Sequence, residues 1–110
     1  MKIQPITVTS FVIFAGAPRL DPITVIMRDI EPGRGELIIA HYGCAWQAYW
    51  GATGHDTLRE FLLRVSADYV ANCMLSARRS FITSRQAEER EDRYLQRIVQ
   101  AVLDAIRGRS

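Results

Sequence analysis

The repeat of hydrophobic positions along the chain changes from about two residues to about 3.6 residues near the middle of the sequence. In the first half, short runs rich in valine, isoleucine, threonine and aromatic residues alternate with glycine, proline and aspartate, which is typical of strands joined by turns. The predicted strands are residues 6–14, 23–30, 36–42 and 45–50, with a hairpin loop at 31–35. Because the connections are short, an antiparallel meander is the topology that needs the least chain.

The second half of the chain predicts helices. Thr57 and Glu60 have the spacing of a capping box, in which each side chain satisfies a backbone amide of the other residue. Leu58, Phe61, Leu62 and Val65 follow at helical spacing on one face. A second short helix is predicted to begin at Asp68 as its cap, and a third to run from Thr83 or Ser84 to about Arg107, with Gly108 as the stop.

These patterns predict an α+β fold in a single domain of 110 residues. A small antiparallel sheet of three to four strands from the N-terminal half packs against two to three helices from the C-terminal half, including a long C-terminal helix. The predicted core consists of Ile23, Val25, Leu37, Ile39, Trp46, Phe61, Leu62, Val65, Val99, Val102 and Ile106.

The last helix has two unlike halves. About 24 residues would extend roughly 36 Å, and an apolar stripe occupies only the second half. The first half, Arg85 to Arg93, has only Ala87 to bury. We therefore expect the first half to stand in solvent, with charge pairs such as Glu89–Arg93, or against a partner.

Both tryptophans lie in one predicted strand, where Trp46 and Trp50 share a face and Tyr49 lies on the other. One interpretation is that the strand is a binding surface, for nucleic-acid bases or for a protein partner. The other is that it is a core strand, with Tyr49 packed against the neighbouring strand. Because no arginine or lysine lies between Glu36 and Asp56 to hold a phosphate, the core interpretation is favoured.

Charge adds little, since fourteen basic and twelve acidic residues give a net charge of +2. One basic cluster, Arg78, Arg79 and Arg85, lies near a predicted helix start. Its guanidinium groups would suit an acidic partner, a phosphate or a carboxylate. The alternative is a solvated connector.

The chain carries no common catalytic, nucleotide-binding or metalloprotease motif, so we expect no enzyme activity and no cofactor. His41, Cys44, His55 and Cys73 are the residue types that bind zinc, but their spacing matches no common zinc pattern, and we predict no metal site. The N-terminal apolar stretch is broken by Thr7, Thr9 and Ser10 and fits neither a signal peptide nor a membrane span. With only two cysteines, a cytoplasmic protein is expected.

Several segments together resemble small accessory proteins encoded in temperate bacteriophage and prophage genomes. They are PRLDPITV at 18–25, PGRG at 32–35 and YGCAWQAYWGATG at 42–54, with Leu58, Glu60 and Phe61. The resemblance covers roughly residues 18–75 and brings no site residues with it. It implies a protein of the host bacterial cytoplasm with a non-essential phage role, commonly met by binding and inhibiting or redirecting a host protein.

The leading functional hypothesis is therefore a non-enzymatic phage protein that binds and modulates a host protein, in host takeover or counter-defence. The alternative is a nucleic-acid-associated regulator that uses the arginine cluster. The candidate partner-binding residues are Arg78, Arg79, Arg85, Trp46, Tyr49, Trp50, Tyr94 and Leu95.

We also hypothesise a homodimer built on the last helix or on the aromatic strand. Tyr94 and Leu95 stand where the polar half of the helix meets the apolar half, and they would lie in a helical seam. The alternative is that the connector 76–83 folds over these two residues and the protein stays monomeric.

Overall fold

A computed structural model describes residues 3, 5–14, 22–41, 43–54, 56–78 and 85–108. Four strands form one antiparallel sheet in the order β1-β2-β3-β4, and helices follow in the C-terminal half. The predicted α+β class and the meander are both confirmed. The elements are β1 (Thr7–Ile13), β2 (Ile23–Glu31), β3 (Arg34–His41), β4 (Cys44–Trp50), α1 (Leu58–Leu62), α2 (Ala67–Arg78) and α3 (Arg85–Gly108).

The turn between β2 and β3 is shorter than the predicted loop, because Glu31 and Arg34 already pair across the ladder. Proline presets φ at the first turn residue, and Gly33 has φ +88° at the second. A Cβ on Gly33 would lie 2.3 Å from the carbonyl oxygen of Gly54. Thr53 also donates its backbone N–H to the Gly33 carbonyl at 3.0 Å, so this turn is joined to the loop after β4.

The sheet has one buried face and one open face. Side chains alternate along β2, β3 and β4, and one set from each strand packs under the helices. α1 packs on β2 and β3, while α2 packs on β4 and α3. The buried sheet residues are Ile23, Val25, Met27, Leu37, Ile39, His41, Trp46, Ala48 and Trp50.

Most of the predicted core is buried, and only Phe61 and Val65 are half-buried. The reason for Phe61 is that α1 is a single five-residue helix at the margin of the core. The ring contacts Trp50 on one side, and the Arg64 guanidinium lies 5.7 Å from the ring centroid on another.

The capping box that opens α1 is confirmed. Thr57 accepts the Glu60 backbone N–H, and Glu60 accepts the Thr57 N–H at 2.9 Å. A third interaction was not visible in the sequence pattern, since Asp29 on β2 accepts the Leu58 N–H at 2.7 Å. This carboxylate joins the helix start to the sheet.

The predicted cap of α2 was wrong by two residues. Ser66 accepts the Tyr69 backbone N–H through its hydroxyl at 3.1 Å, whereas Asp68 lies within the first turn. The serine oxygen caps a free backbone amide at the helix start, and the aspartate in the first turn stabilises the positive end of the helix dipole.

The long helix α3 begins its packing at Glu91, one turn before its apolar stripe, because this half-buried carboxylate accepts a hydrogen bond from Nε1 of Trp46 at 3.1 Å. Thr83 and Ser84, the predicted starts, lie outside the described residues. The described ion pair in the first turns is Arg85–Glu89, at 3.9 Å. The buried stripe of α3 is Leu95, Ile98, Val99, Val102, Leu103 and Ile106.

No helix among the described residues combines the length and apolar character needed to cross a membrane.

Candidate partner-binding surface

The two tryptophans of β4 belong to the core, as the favoured interpretation predicted. Trp46 and Trp50 lie on the buried face of the sheet, and each indole N–H has a partner on a helix. Trp46 donates to the Glu91 carboxylate at 3.1 Å, and Trp50 donates to the Tyr69 hydroxyl at 3.1 Å. Their rings are occupied within the chain and present almost no surface to a partner.

The same holds for the predicted helical seam. Tyr94 is half-buried, its hydroxyl shares a hydrogen bond with Nδ1 of His41, and its ring centroid lies 5.8 Å from that of Trp46. Leu95 is fully buried. The apolar surface that the helical dimer hypothesis required at Leu95 is therefore covered by the chain itself.

Tyr49 is the candidate aromatic residue that reaches the open face of the sheet, where it is 51% exposed. Its hydroxyl accepts a hydrogen bond from Nε of Arg34 on the neighbouring strand at 3.0 Å. Arg34 also pairs with Glu31 at 2.9 Å. The bond to Tyr49, with Glu31 nearby, raises the pKa of Arg34 above its ordinary value.

The structure describes the side chain of one member of the arginine cluster. Arg85 opens α3 with its side chain 93% exposed, and its guanidinium lies beside Glu89. Arg78 is the last residue of α2, and Arg79 lies outside the described residues.

The four zinc-type residues are placed as follows. His41 faces the core beside Tyr94, Cys44 is exposed, Cys73 is half-buried on α2, and His55 lies outside the described residues. Within the described part of the chain, no three His, Cys, Asp or Glu side chains lie close enough together to hold a metal ion.

A surface that the sequence reasoning missed lies between β1 and the C-terminal end of α3. It is a groove with a volume of about 540 Å³. Its lining is mainly apolar and consists of Thr9, Phe11, Val12, Ile13, Phe14, Met27, Asp29, Arg59, Ala105 and Ile106.

The groove exists because the core is not centred on the sheet. Phe11 pairs with Val25 and Ile13 pairs with Ile23, so these side chains face the helices. Val25 and Ile23 are fully buried, yet Phe11 and Ile13 are only half-buried. β1 therefore extends its inward-facing side chains beyond the edge of the helical layer.

Two charged residues line the groove, and both already hold structure together. Asp29 accepts the Leu58 N–H, and Arg59 donates Nη2 to the Ile106 carbonyl near the end of α3 at 3.2 Å. The rest of the lining offers aromatic and aliphatic surface. This composition suits apolar side chains of another molecule better than a small ion.

A second surface is basic and runs along the exposed side of α3. Arg93, Gln96, Arg97 and Gln100 line a shallow cleft, and the exposed Arg90 lies one turn earlier. The predicted basic cluster, Arg78, Arg79 and Arg85, lies earlier in the sequence, between the end of α2 and the start of α3, whereas the arginines of this cleft are spaced by single helical turns.

Comparison with known sequences identifies the origin of the chain. Residues 1–88 match Phage_phiTE_072, described as a phage family. The chain belongs to this phage family. The matched residues of this phage protein include all four strands, α1 and α2. The resemblance to phage-encoded proteins is thus confirmed. Searches of curated proteins and of solved structures gave no match.

Proposed function

We propose that this phage protein is a non-catalytic accessory protein that binds a protein of the bacterial host, in the host cytoplasm. The observation that carries the proposal is the apolar groove beside β1. Phe14 at its rim is 79% exposed, and Phe11 and Ile13 on its floor are half-buried. Exposed aromatic side chains beside a concave apolar surface are typical of protein interfaces.

Site-specific photo-crosslinking in the host tests this proposal. A photoreactive phenylalanine analogue replaces Phe14, which lines the groove, or Gln47, which is exposed on β4 at the other edge of the sheet. We expect an adduct with one host protein from position 14 and none from position 47. Equal adducts from both positions, or none from position 14, would contradict the proposal.

A groove variant provides the matching binding test. Phe11→Asp places a carboxylate on the floor of the groove and should abolish the crosslink from position 14, because an unpaired charge cannot be buried against an apolar partner. Tyr49→Asp, on the open face of the sheet, is the control and should leave the crosslink intact. Circular dichroism of both variants checks that they are folded.

Association with nucleic acid is the second candidate, favoured by the arginine cleft on α3. Arg93 and Arg97 lie one turn apart, and two guanidinium groups at this spacing suit phosphate oxygens, while Gln96 and Gln100 donate to Asp92 and Asp104. Retention of labelled duplex DNA should then fall steeply between about 50 and 200 mM salt. Replacing both arginines by glutamine should lower the salt slope by about 2. No retention at low salt would exclude this candidate.

A further inference from the structure

β1 is an edge strand with few of the features that normally protect such an edge. Its seven residues pair with β2 in one continuous register, without a bulge. It contains no charged residue and no proline. Thr7 to Ser10 are exposed on both faces, and Val8 and Val12 on the open face are 52% and 46% exposed. A long, regular, uncharged edge is a template for another strand.

Antiparallel pairing of β1 with a second β1 brings its two exposed valines together. Ser10 is the middle residue, so a two-fold axis at this serine pairs all seven positions. Val8 then lies opposite Val12 on the open face of the sheet, and Thr9 lies opposite Phe11 on the groove side. Axes at Thr9 or Phe11 pair only five positions, so the Ser10 register is the longest.

We propose that a second copy of this chain pairs with β1 edge to edge, antiparallel and centred on Ser10, which produces a continuous eight-stranded sheet. In this arrangement the helices of both copies lie on the same side, because a two-fold axis normal to the sheet keeps the faces together. The strand of each copy then forms the open wall of the groove of the other. The dimer stands whether or not a host protein binds the groove.

Cysteine crosslinking tests the register directly. Directly opposed residues in an antiparallel pair have Cα atoms about 4.5–5.5 Å apart, which a disulfide can bridge. With Cys44→Ser and Cys73→Ala as the background, Ser10→Cys should therefore give a covalent dimer on mild oxidation. Val8→Cys is the matched control, because two copies of position 8 would be about 13 Å apart along the strands. It should stay monomeric.

Like charges introduced on the open face of β1 test the same pairing without a disulfide. Val8→Lys with Val12→Lys puts like charges opposite each other across the axis, and Val8→Glu with Val12→Glu does the same. Each double variant should sediment at the chain mass of 12.5 kDa, and an equimolar mixture at twice that mass. Ala45→Lys with Gln47→Lys, exposed on β4, is the control and should remain dimeric.

The recovery of the dimer on mixing shows that the variants are folded. The proposal is overturned if the unmodified chain sediments at 12.5 kDa up to high micromolar concentration. It is also overturned if Ser10→Cys and Val8→Cys crosslink equally, or if the lysine double variant on β1 remains dimeric like the one on β4. These measurements use the purified chain alone, so they do not depend on a host partner.

Discussion

The two edges of the sheet are built from similar strands but have different surroundings. β4 directs Trp46, Ala48 and Trp50 into the core, where α2 and α3 cover them. β1 directs Phe11 and Ile13 toward the same side of the sheet, but helices reach only their flank. The inner face of β4 is therefore covered by helices, whereas the inward-facing side chains Phe11 and Ile13 of β1 are only half-buried.

The difference shows that alternation alone does not decide what a strand contacts. Both strands have seven residues and both alternate. The indole N–H groups of β4 find acceptors on the helices, and this fixes the helical layer over that side of the sheet. This difference is the basis of the proposal that β1, rather than β4, makes the intermolecular contacts.

The largest expected loss of stability comes from a charge buried in α3, one of the helices that cover β4. Leu95→Glu places a carboxylate at a fully buried position of α3 and should cost more than about 4 kcal/mol, a large part of the stability of a protein of this size. Arg97→Glu, two residues further and exposed, is the control and should change the free energy of unfolding by less than about 0.5 kcal/mol. Urea denaturation followed by circular dichroism measures both. A monomeric Leu95→Glu variant of unchanged stability would show instead that Leu95 belongs to an interface.

The comparison of the two edges is sharpest between two aromatic residues. Trp46→Ala should lower the free energy of unfolding by about 3–5 kcal/mol, because it leaves a cavity and removes the donor to Glu91. Phe11→Ala should lower the free energy of unfolding of the monomer by only about 1 kcal/mol, because its ring is already half in solvent. Equal losses in chemical denaturation at dilute protein concentration would contradict the division into two unlike edges.

A single hydroxyl tests how firmly α3 is held over β3 and β4. Tyr94→Phe keeps the ring beside Trp46 but removes the hydrogen bond to His41, at a cost of about 1 kcal/mol. Tyr49→Phe removes an exposed bond to Arg34 and should cost less than about 0.5 kcal/mol. Thermal unfolding at neutral pH measures both. A larger loss for Tyr49 would place the tighter packing on the open face.

The smallest expected effect concerns α1, which lies between the two edges. The backbone N–H and the hydroxyl of Thr57 bind the Glu60 carboxylate and lower the pKa of Glu60. The fold thus favours the ionised form, so this stabilisation is complete above the ordinary glutamate pKa and is lost as pH falls through the lowered one. Glu60→Gln should be less stable at neutral pH and should lose less stability on acidification. Parallel acid-induced decreases in Tm for both proteins would contradict this.

Local patterns predicted the elements well because their causes are local. The capping box at Thr57, the alternation that buries Trp46 and the stripe that buries Val99 each depend on residues a few positions apart. Asp29 capping α1 across 29 residues, and Glu91 accepting from Trp46 across 45, join distant segments. No periodicity within one element contains information about such pairs.

The sequence by itself determined the two periods, the α+β class and the sides of each strand, because side-chain direction follows from backbone geometry. It also determined that β1 is uncharged and that Val8 and Val12 lie at equal distances from Ser10. Only the tertiary structure decided that the helices cover β4 and leave a groove beside β1. The position of the helical layer depends on long-range contacts of the aromatic residues with α2 and α3, and these exist only once the chain has folded.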